Sequence, residues 1–157
     1  MIENVREYFK KFGIEDKILE FNVSSATVEL ASKALNTSEG RIAKSMAFIQ
    51  GESVVIIVMT GDVKIDNSKY KAKFHTKAKM VPYDDVGQIV GHNAGGVCPF
   101  AINDGVKVYL DDSLKKYETV FPACGSSNSA IELTFNELEK YCQNFSGWID
   151  VTKNIIE

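Results

Sequence analysis

Ala43-Lys44-Ser45-Met46-Ala47-Phe48-Ile49, then Gln50-Gly51-Glu52-Ser53, then Val54-Val55-Ile56-Ile57-Val58-Met59 is the stretch that decides the fold. The first segment alternates, and a strand of period two places Lys44, Met46 and Phe48 on one face and Ala43, Ser45, Ala47 and Ile49 on the other. The four residues from Gln50 carry turn chemistry. The last six are a β-branched apolar run too continuous for a half-exposed strand. Together they predict a hairpin whose second strand is buried, so the sheet is at least partly antiparallel.

Toward the N-terminus, Val5, Tyr8, Phe9 and Phe12 recur at helical spacing ahead of Gly13, which predicts an amphipathic helix over 3–12. Ile18 to Val23 reads as extended. Ser24, Ser25 and Thr27 offer capping oxygens for a second helix through Leu35, with Glu29 in its first turn. Toward the C-terminus, 67–74 reads as a short helix, 77–81 as a strand, and Pro82 as the opening of a helix ending at Gly91. Strands are expected over 106–110, 118–121 and 130–133. Thr134 and Glu137 form a capping box for a last helix carrying Phe135, Leu138 and Tyr141. Helices and strands mix without strict alternation, which gives an α+β (mixed α/β) domain rather than a doubly wound parallel sheet.

A chain of 157 residues with 45% hydrophobic content can bury a sizeable core without staples, so one domain over 1–157 is expected. Its longest apolar run, Val54 to Met59, is far short of the roughly 20 residues of a membrane span. No apolar stretch follows a basic start, so no signal peptide is expected and a cytoplasmic location is the default. Three cysteines, Cys98, Cys124 and Cys142, form no CxxC pair and read as free thiols in a reducing compartment. The two histidines, His75 and His92, lack zinc-ligand spacing, so a structural zinc site is not expected; no cofactor is expected either.

Five features could carry chemistry. Gly91-His92-Asn93-Ala94-Gly95-Gly96-Val97-Cys98-Pro99-Phe100 is either a fixed backbone pocket or a tight helix-to-strand turn; no phosphate-loop motif is present. Ala123-Cys124-Gly125-Ser126-Ser127-Asn128-Ser129 is a polar loop that could bind a ribose or phosphate, or simply join two strands. Lys44 stands among apolar neighbours, a conflict that a cleft position or a snorkelling side chain would resolve. The segment from Lys64 to Lys79 holds six lysines against Asp66 alone on a chain of net charge -3, either a solvated face or a contact for a phosphate backbone. Cys98 with His92 as its base would be a nucleophile pair, though no orienting acid is identifiable.

Ile42-Ala43-Lys44-Ser45-Met46-Ala47-Phe48, then Gly91 through Phe100, then Gly125 followed by Ile131-Glu132-Leu133 resemble, in order and spacing along nearly the whole chain, the YbaK and prolyl-tRNA synthetase editing-domain family. The resemblance implies a barrel-like, mixed, largely antiparallel sheet flanked by helices and a metal-free site. It implies a free-standing enzyme that hydrolyses the ester of a misacylated tRNA, typically tRNA for proline carrying alanine, cysteine or a similar small amino acid. Lys44 matches the lysine needed for deacylation, and Gly95 and Pro99 match a Gly-x-x-x-Pro motif whose backbone meets the aminoacyl group. An aminoacyl ester is already activated, so positioning and backbone dipoles suffice and no protein nucleophile is required. On this reading Lys44 serves a terminal phosphate or ribose, Gly95 and Gly96 the ester and amino acid, and Gly125 with Ser126 the opposite wall. Met46 and Phe48 line the side-chain pocket, Lys71 and Lys73 reach the acceptor stem, and His92 either contacts the substrate or caps the preceding helix. Ala130 stands where the cysteine-specific branch tends to carry an acid, and Phe21 or Asn22 where it has a tyrosine, which weakens a cysteinyl-tRNA assignment. The expected partner is the acceptor end of an aminoacyl-tRNA, assisted by a synthetase or elongation factor, with no membrane and no DNA. The competing readings are a non-catalytic tRNA- or aminoacyl-nucleotide-binding module and a hydrolase using Cys98.

Overall fold

The computed structural model describes residues 2–155. The chain runs through α1 (Ile2–Lys10), β1 (Leu19–Glu20), α2 (Val28–Leu35), β2 (Ile42–Gln50), β3 (Ser53–Thr60), β4 (Val63–Ile65), α3 (Asn67–Phe74) and α4 (Val86–Val90). It continues through β5 (Lys107–Asp111), β6 (Phe121–Pro122), β7 (Ser129–Ala130), α5 (Phe135–Tyr141), β8 (Phe145–Ile149) and β9 (Thr152–Asn154).

The hairpin expected from 43–59 forms as β2 and β3, in register from Ala43 opposite Thr60 to Gln50 opposite Ser53. It sits inside a five-stranded sheet of order β6-β2-β3-β5-β8 that curls into a half barrel flanked by helices; β1 with β7 and β4 with β9 make two small antiparallel sheets. β3 is buried on both faces, which is what its unbroken apolar run requires. Ile56 and Val58 join the larger core with Val5 and Phe9 of α1 and Leu138 of α5. Val55, Ile57 and Met59 join a second core with Phe48 and Tyr70. Each such side chain contributes about 1.5–3 kcal/mol relative to exposure, so burial on both faces anchors the strand firmly.

Capping follows the sequence. Thr27 Oγ1 accepts from Leu30 N at 3.1 Å, Asp66 caps α3 through Ser68 and Lys69, and both arms of the Thr134–Glu137 box are made. Asp111, fully buried at the end of β5, is satisfied by Ser113 N, Val151 N and Thr152 Oγ1 at 3.0, 2.9 and 2.8 Å. It ties β5 to the turn between β8 and β9, since a buried carboxylate is tolerated only when so bonded.

Several expectations need correction. Within the five-stranded sheet only β2 and β3 pair antiparallel, and β2–β6, β3–β5 and β5–β8 are parallel, so the main sheet is mixed rather than largely antiparallel. The crossovers that return the chain in parallel are long-range and left no periodic mark. Pro82 opens a turn, with Asp85 N donating to its carbonyl at 2.9 Å, and the helix starts only at Val86. Segment 77–81 is a single bridge at Met80 to Phe48, and the expected strands over 118–121 and 130–133 reduce to β6, β7 and a bridge between Val120 and Leu133. β8 and β9 lie in a stretch for which no element was expected.

Candidate functional site

β3 covers one edge of β2 along its whole length, but the other edge is covered only at its two ends. At one end β6 pairs with Ile42 and Ala43. At the other, Ile49 N donates to Lys79 O at 2.8 Å and Val81 N donates to Ala47 O at 3.0 Å. Lys44, Ser45 and Met46 lie in the opening between. A cleft of about 540 Å³ sits at this opening, within the range of small-molecule sites. Its further walls are 25–28, Met80 to Tyr83, the turn at Ala94, Gly95 and Val97, and Ala123 with Ser129 and Ala130. Ala26, Ala43, Ala47, Ala94 and Ala123 leave space rather than fill it.

Lys44 is half-buried in this wall, and its Nζ donates to the Val63 carbonyl. Burial lowers its pKa below the ordinary lysine value, and the nearby Asp62 carboxylate works in the opposite direction. Asp62 is itself fixed: burial works to raise its pKa, but bonds from Thr60 Oγ1 at 2.5 Å and Tyr117 OH at 2.6 Å, with Lys116 at 3.6 Å, hold the carboxyl below its usual range. The result is an ammonium positioned at a cleft with its counter-charge locked in place.

The glycine turns form the facing wall. Gly95 has φ +90° and lines the cleft, and a Cβ there would lie 3.2 Å from Ala26 Cβ. Gly96 is buried against the second loop: a Cβ on it would lie 2.7 Å from Ser126 N and 2.8 Å from Gly125 C. The two loops singled out in the sequence are thus packed backbone against backbone. Pro99 is buried beneath the turn, its carbonyl accepting from Gln143 N at 2.8 Å. Ser126 Oγ is engaged within its own loop, with Asn128 Oδ1 at 2.9 Å and Ser129 Oγ at 2.6 Å. Of the residues expected to touch substrate, Lys44, Met46 and Gly95 line the cleft, whereas Gly96, Pro99, Gly125 and Ser126 lie behind or beside it and shape it.

His92 and Phe48 are placed elsewhere than expected. His92 is fully buried, with Nε2 2.6 Å from the Phe100 carbonyl. A carbonyl only accepts, so Nε2 carries the proton, and the nitrogen 3.4 Å from Cys98 Sγ is no base for it. Burial holds the His92 pKa down and drives the Cys98 thiol up to about 12. Cys98 is fully buried and lies outside the cleft, so it lacks what a nucleophile needs. Phe48 packs against Tyr70 in the second core, ring centroids 5.4 Å apart, instead of lining the side-chain pocket.

Sequence reasoning passed over Ser25, Ser45, Met80 and Tyr83. Both serine hydroxyls are buried without a hydrogen-bond partner among the described residues, and both residues line the cleft. Met80 and Tyr83 are exposed at its rim, Tyr83 by 78%. The signal for Tyr83 was an aromatic after Pro82, where a helix interior had been expected. Arg41 was also missed: it reaches from the start of β2 to Thr119 and to Glu132 Oε2 at 2.8 Å, which gives the Ile-Glu-Leu run a structural role beside β6. Of the six lysines, Lys69 is held by Asp150 at 3.0 Å. Lys71, Lys73, Lys77 and Lys79 are exposed and form no ion pair among the described residues, and the last two lead directly into the cleft rim.

Among the described residues no group of three or more His, Cys, Asp or Glu could hold a metal ion, and no helix is long and apolar enough to cross a membrane. The sequence model for an aminoacyl-tRNA editing domain matches residues 23–141. The chain is 48% identical over 155 residues to the uncharacterized protein YwhH of Bacillus subtilis, covering 98% of each. It is 28% identical over 90 residues to the proline–tRNA ligase of the same organism, 57% of this chain against 16% of that one. The fold matches the crystal structure of a "putative trans-editing enzyme for prolyl tRNA synthetase" with a TM-score of 0.84 at 23% identity, over 98% of this chain and 97% of the other.

Proposed function

Since the chain belongs to the aminoacyl-tRNA editing domain family, we propose that it is a trans-acting deacylase that hydrolyses the ester of misacylated tRNA, with tRNA for proline bearing a small non-cognate amino acid as its substrate. The observation that carries this reading is the Lys44 ammonium, set in the wall of a cleft whose facing side is a glycine turn. The similarity to part of a proline–tRNA ligase supports the choice of tRNA. Such an enzyme works in the cytoplasm.

The chemistry asks little of the protein beyond position. Lys44 holds a phosphate or ribose oxygen of the terminal nucleotide and offsets charge that develops near it. The Gly95 turn lets backbone approach the aminoacyl group, and the alanine-lined walls with Met46 receive a small side chain. Tyr83, exposed on the rim, offers a face on which the terminal base stacks. Lys77 and Lys79, with Lys71 and Lys73 behind them, give the acceptor stem a cationic approach. A synthetase or elongation factor that delivers the charged tRNA would compensate for the small basic footprint. An apolar pocket separates amino acids differing by one methylene by only about 1–3 kcal/mol, so the preferred amino acid is a matter for assay.

The test is hydrolysis of tRNA for proline charged with alanine, cysteine, serine or proline, by the wild type and Lys44→Ala side by side. Release of a non-cognate amino acid that falls at least about a hundredfold in a folded Lys44→Ala protein is expected, the removal of one preorganised donor to developing charge costing about 2.7–4 kcal/mol. No release from any member by a folded protein would overturn this substrate assignment, in favour of another tRNA or of a tRNA- or aminoacyl-nucleotide-binding module.

A further inference from the structure

The opening in the edge of β2 has a definite hydrogen-bonding pattern. The hairpin closes on Gln50 opposite Ser53 through a two-residue turn, so even-numbered residues of β2 bond to β3 and odd-numbered residues present N–H and C=O to the other edge. The bonds of Ile49 N and Ala47 O to segment 79–81 obey that parity. At the far end β6 stops after pairing with Ala43. Between the two flanks the N–H and C=O of Ser45 and the N–H of Ala47 face the cleft with no strand across from them. Ala43 to Ala47 spans about 13 Å of strand, and both ends are blocked by chain already in place. The opening admits one extended residue and excludes a continuing strand.

We propose that this opening binds the aminoacyl group as a one-residue strand addition: the α-ammonium donates to the Ser45 carbonyl while the ester carbonyl accepts from the Ser45 N–H. This rests on the deacylase reading and names how that site recognises its substrate. One residue with a free amine and an acyl carbonyl supplies the two bonds that an antiparallel residue pair exchanges. A second observation points to the same ligand. The buried hydroxyls of Ser25 and Ser45 lack partners among the described residues, and an ammonium brings three donors, so it can serve more than the one carbonyl. The arrangement reads features shared by all α-aminoacyl esters and leaves the side chain to the alanine-lined walls. It also fixes the orientation of the Cα substituents, so the D-epimer would turn its side chain away from the position that an L-residue's side chain takes.

The experiment compares alanyl-tRNA for proline with its 2-hydroxy analogue, made by deaminating the charged tRNA, each enzymatic rate divided by the uncatalysed rate of the same ester. An ammonium-to-carbonyl bond is about twice as strong as a neutral one, so the deaminated ester should react roughly tenfold or more slowly by kcat/KM. Ser45→Pro removes the edge N–H without touching a bond to β3, a position where strands tolerate proline. It should lose about tenfold relative to Ser45→Ala, which lacks the same hydroxyl but keeps the amide. Equal normalised rates for the two esters would overturn the proposal even if Ser45→Pro failed to fold, and so would equal rates for a folded Ser45→Pro and Ser45→Ala. In either case alanyl-tRNA hydrolysis that Lys44→Ala abolishes would leave the deacylase reading standing. Absence of hydrolysis by the wild type would remove both.

Discussion

Gly96→Ala tests how the cleft wall is built, independently of any substrate. A methyl group on Gly96 would lie 2.7 Å from Ser126 N, 2.8 Å from Gly125 C and 2.9 Å from Ser126 Cα. Comfortable separations between such atoms are about 3.5–4.0 Å, so one loop must retreat by roughly an ångström. All three obstructing atoms are backbone, and Gly96 itself has no positive φ, so the cost is steric rather than conformational. Overpacking of this kind costs about 1–3 kcal/mol. For a chain of this size each kcal/mol moves Tm by about 2–4 °C, which predicts a fall of about 2–12 °C. Thermal unfolding followed by circular dichroism measures it, and because Ala123, Ser129 and Ala130 of the displaced loop line the cleft, deacylation should weaken in the same variant. A Gly96→Ala protein that melts within a degree of the wild type with unaltered turnover would show that the two loops do not brace each other.

Lys44 gives activity and stability opposite pH slopes. Burial sets its folded pKa below 10.5, so between that lowered value and 10.5 the unfolded chain binds more protons and stability rises with pH. Turnover that needs the ammonium falls through the same window. Denaturant unfolding and background-corrected kcat/KM against pH, each compared with Lys44→Met, should diverge in sign, and parallel slopes would refute the assignment. Replacing Lys71 and Lys73 by glutamate should flatten the log–log salt dependence of tRNA binding by about 1.4–1.8 if each lysine neutralises one phosphate; an unchanged slope would take α3 out of the interface.

How much of this was legible depended on whether a feature is local. The hairpin was readable because alternation in 43–49 and its absence in 54–59 report one-faced and two-faced burial directly. The Thr134–Glu137 box was readable because both its bonds lie within three residues. Lys44 stood out as a charge in an apolar row, and the structure resolves the conflict by placing it at a cleft. What the sequence could not give is set by distant chain: where β6 stops, where segment 79–81 lands, and hence which part of β2 stays open. β8 was illegible for a related reason. Its Phe145-Ser146-Gly147-Trp148-Ile149 has a glycine at its centre and little burial before Ile149, and it becomes a strand by pairing with β5. His92 misled because its position in a glycine-rich turn suggested access, whereas Phe100 and Cys98 close over it.

The flanks of the β2 opening also bear on self-association. An exposed strand edge ordinarily invites the edge of another molecule, and long flat edges seed aggregation. Here β6 and segment 79–81 act as bookends, so the groups left unpaired at Ser45 stand in a slot too short for an incoming strand to register. A functional protein can therefore keep raw backbone on offer to a small ligand while refusing the same backbone to its own copies. Lengthening the slot by loosening either bookend would expose the molecule to self-association before it improved access to the cleft.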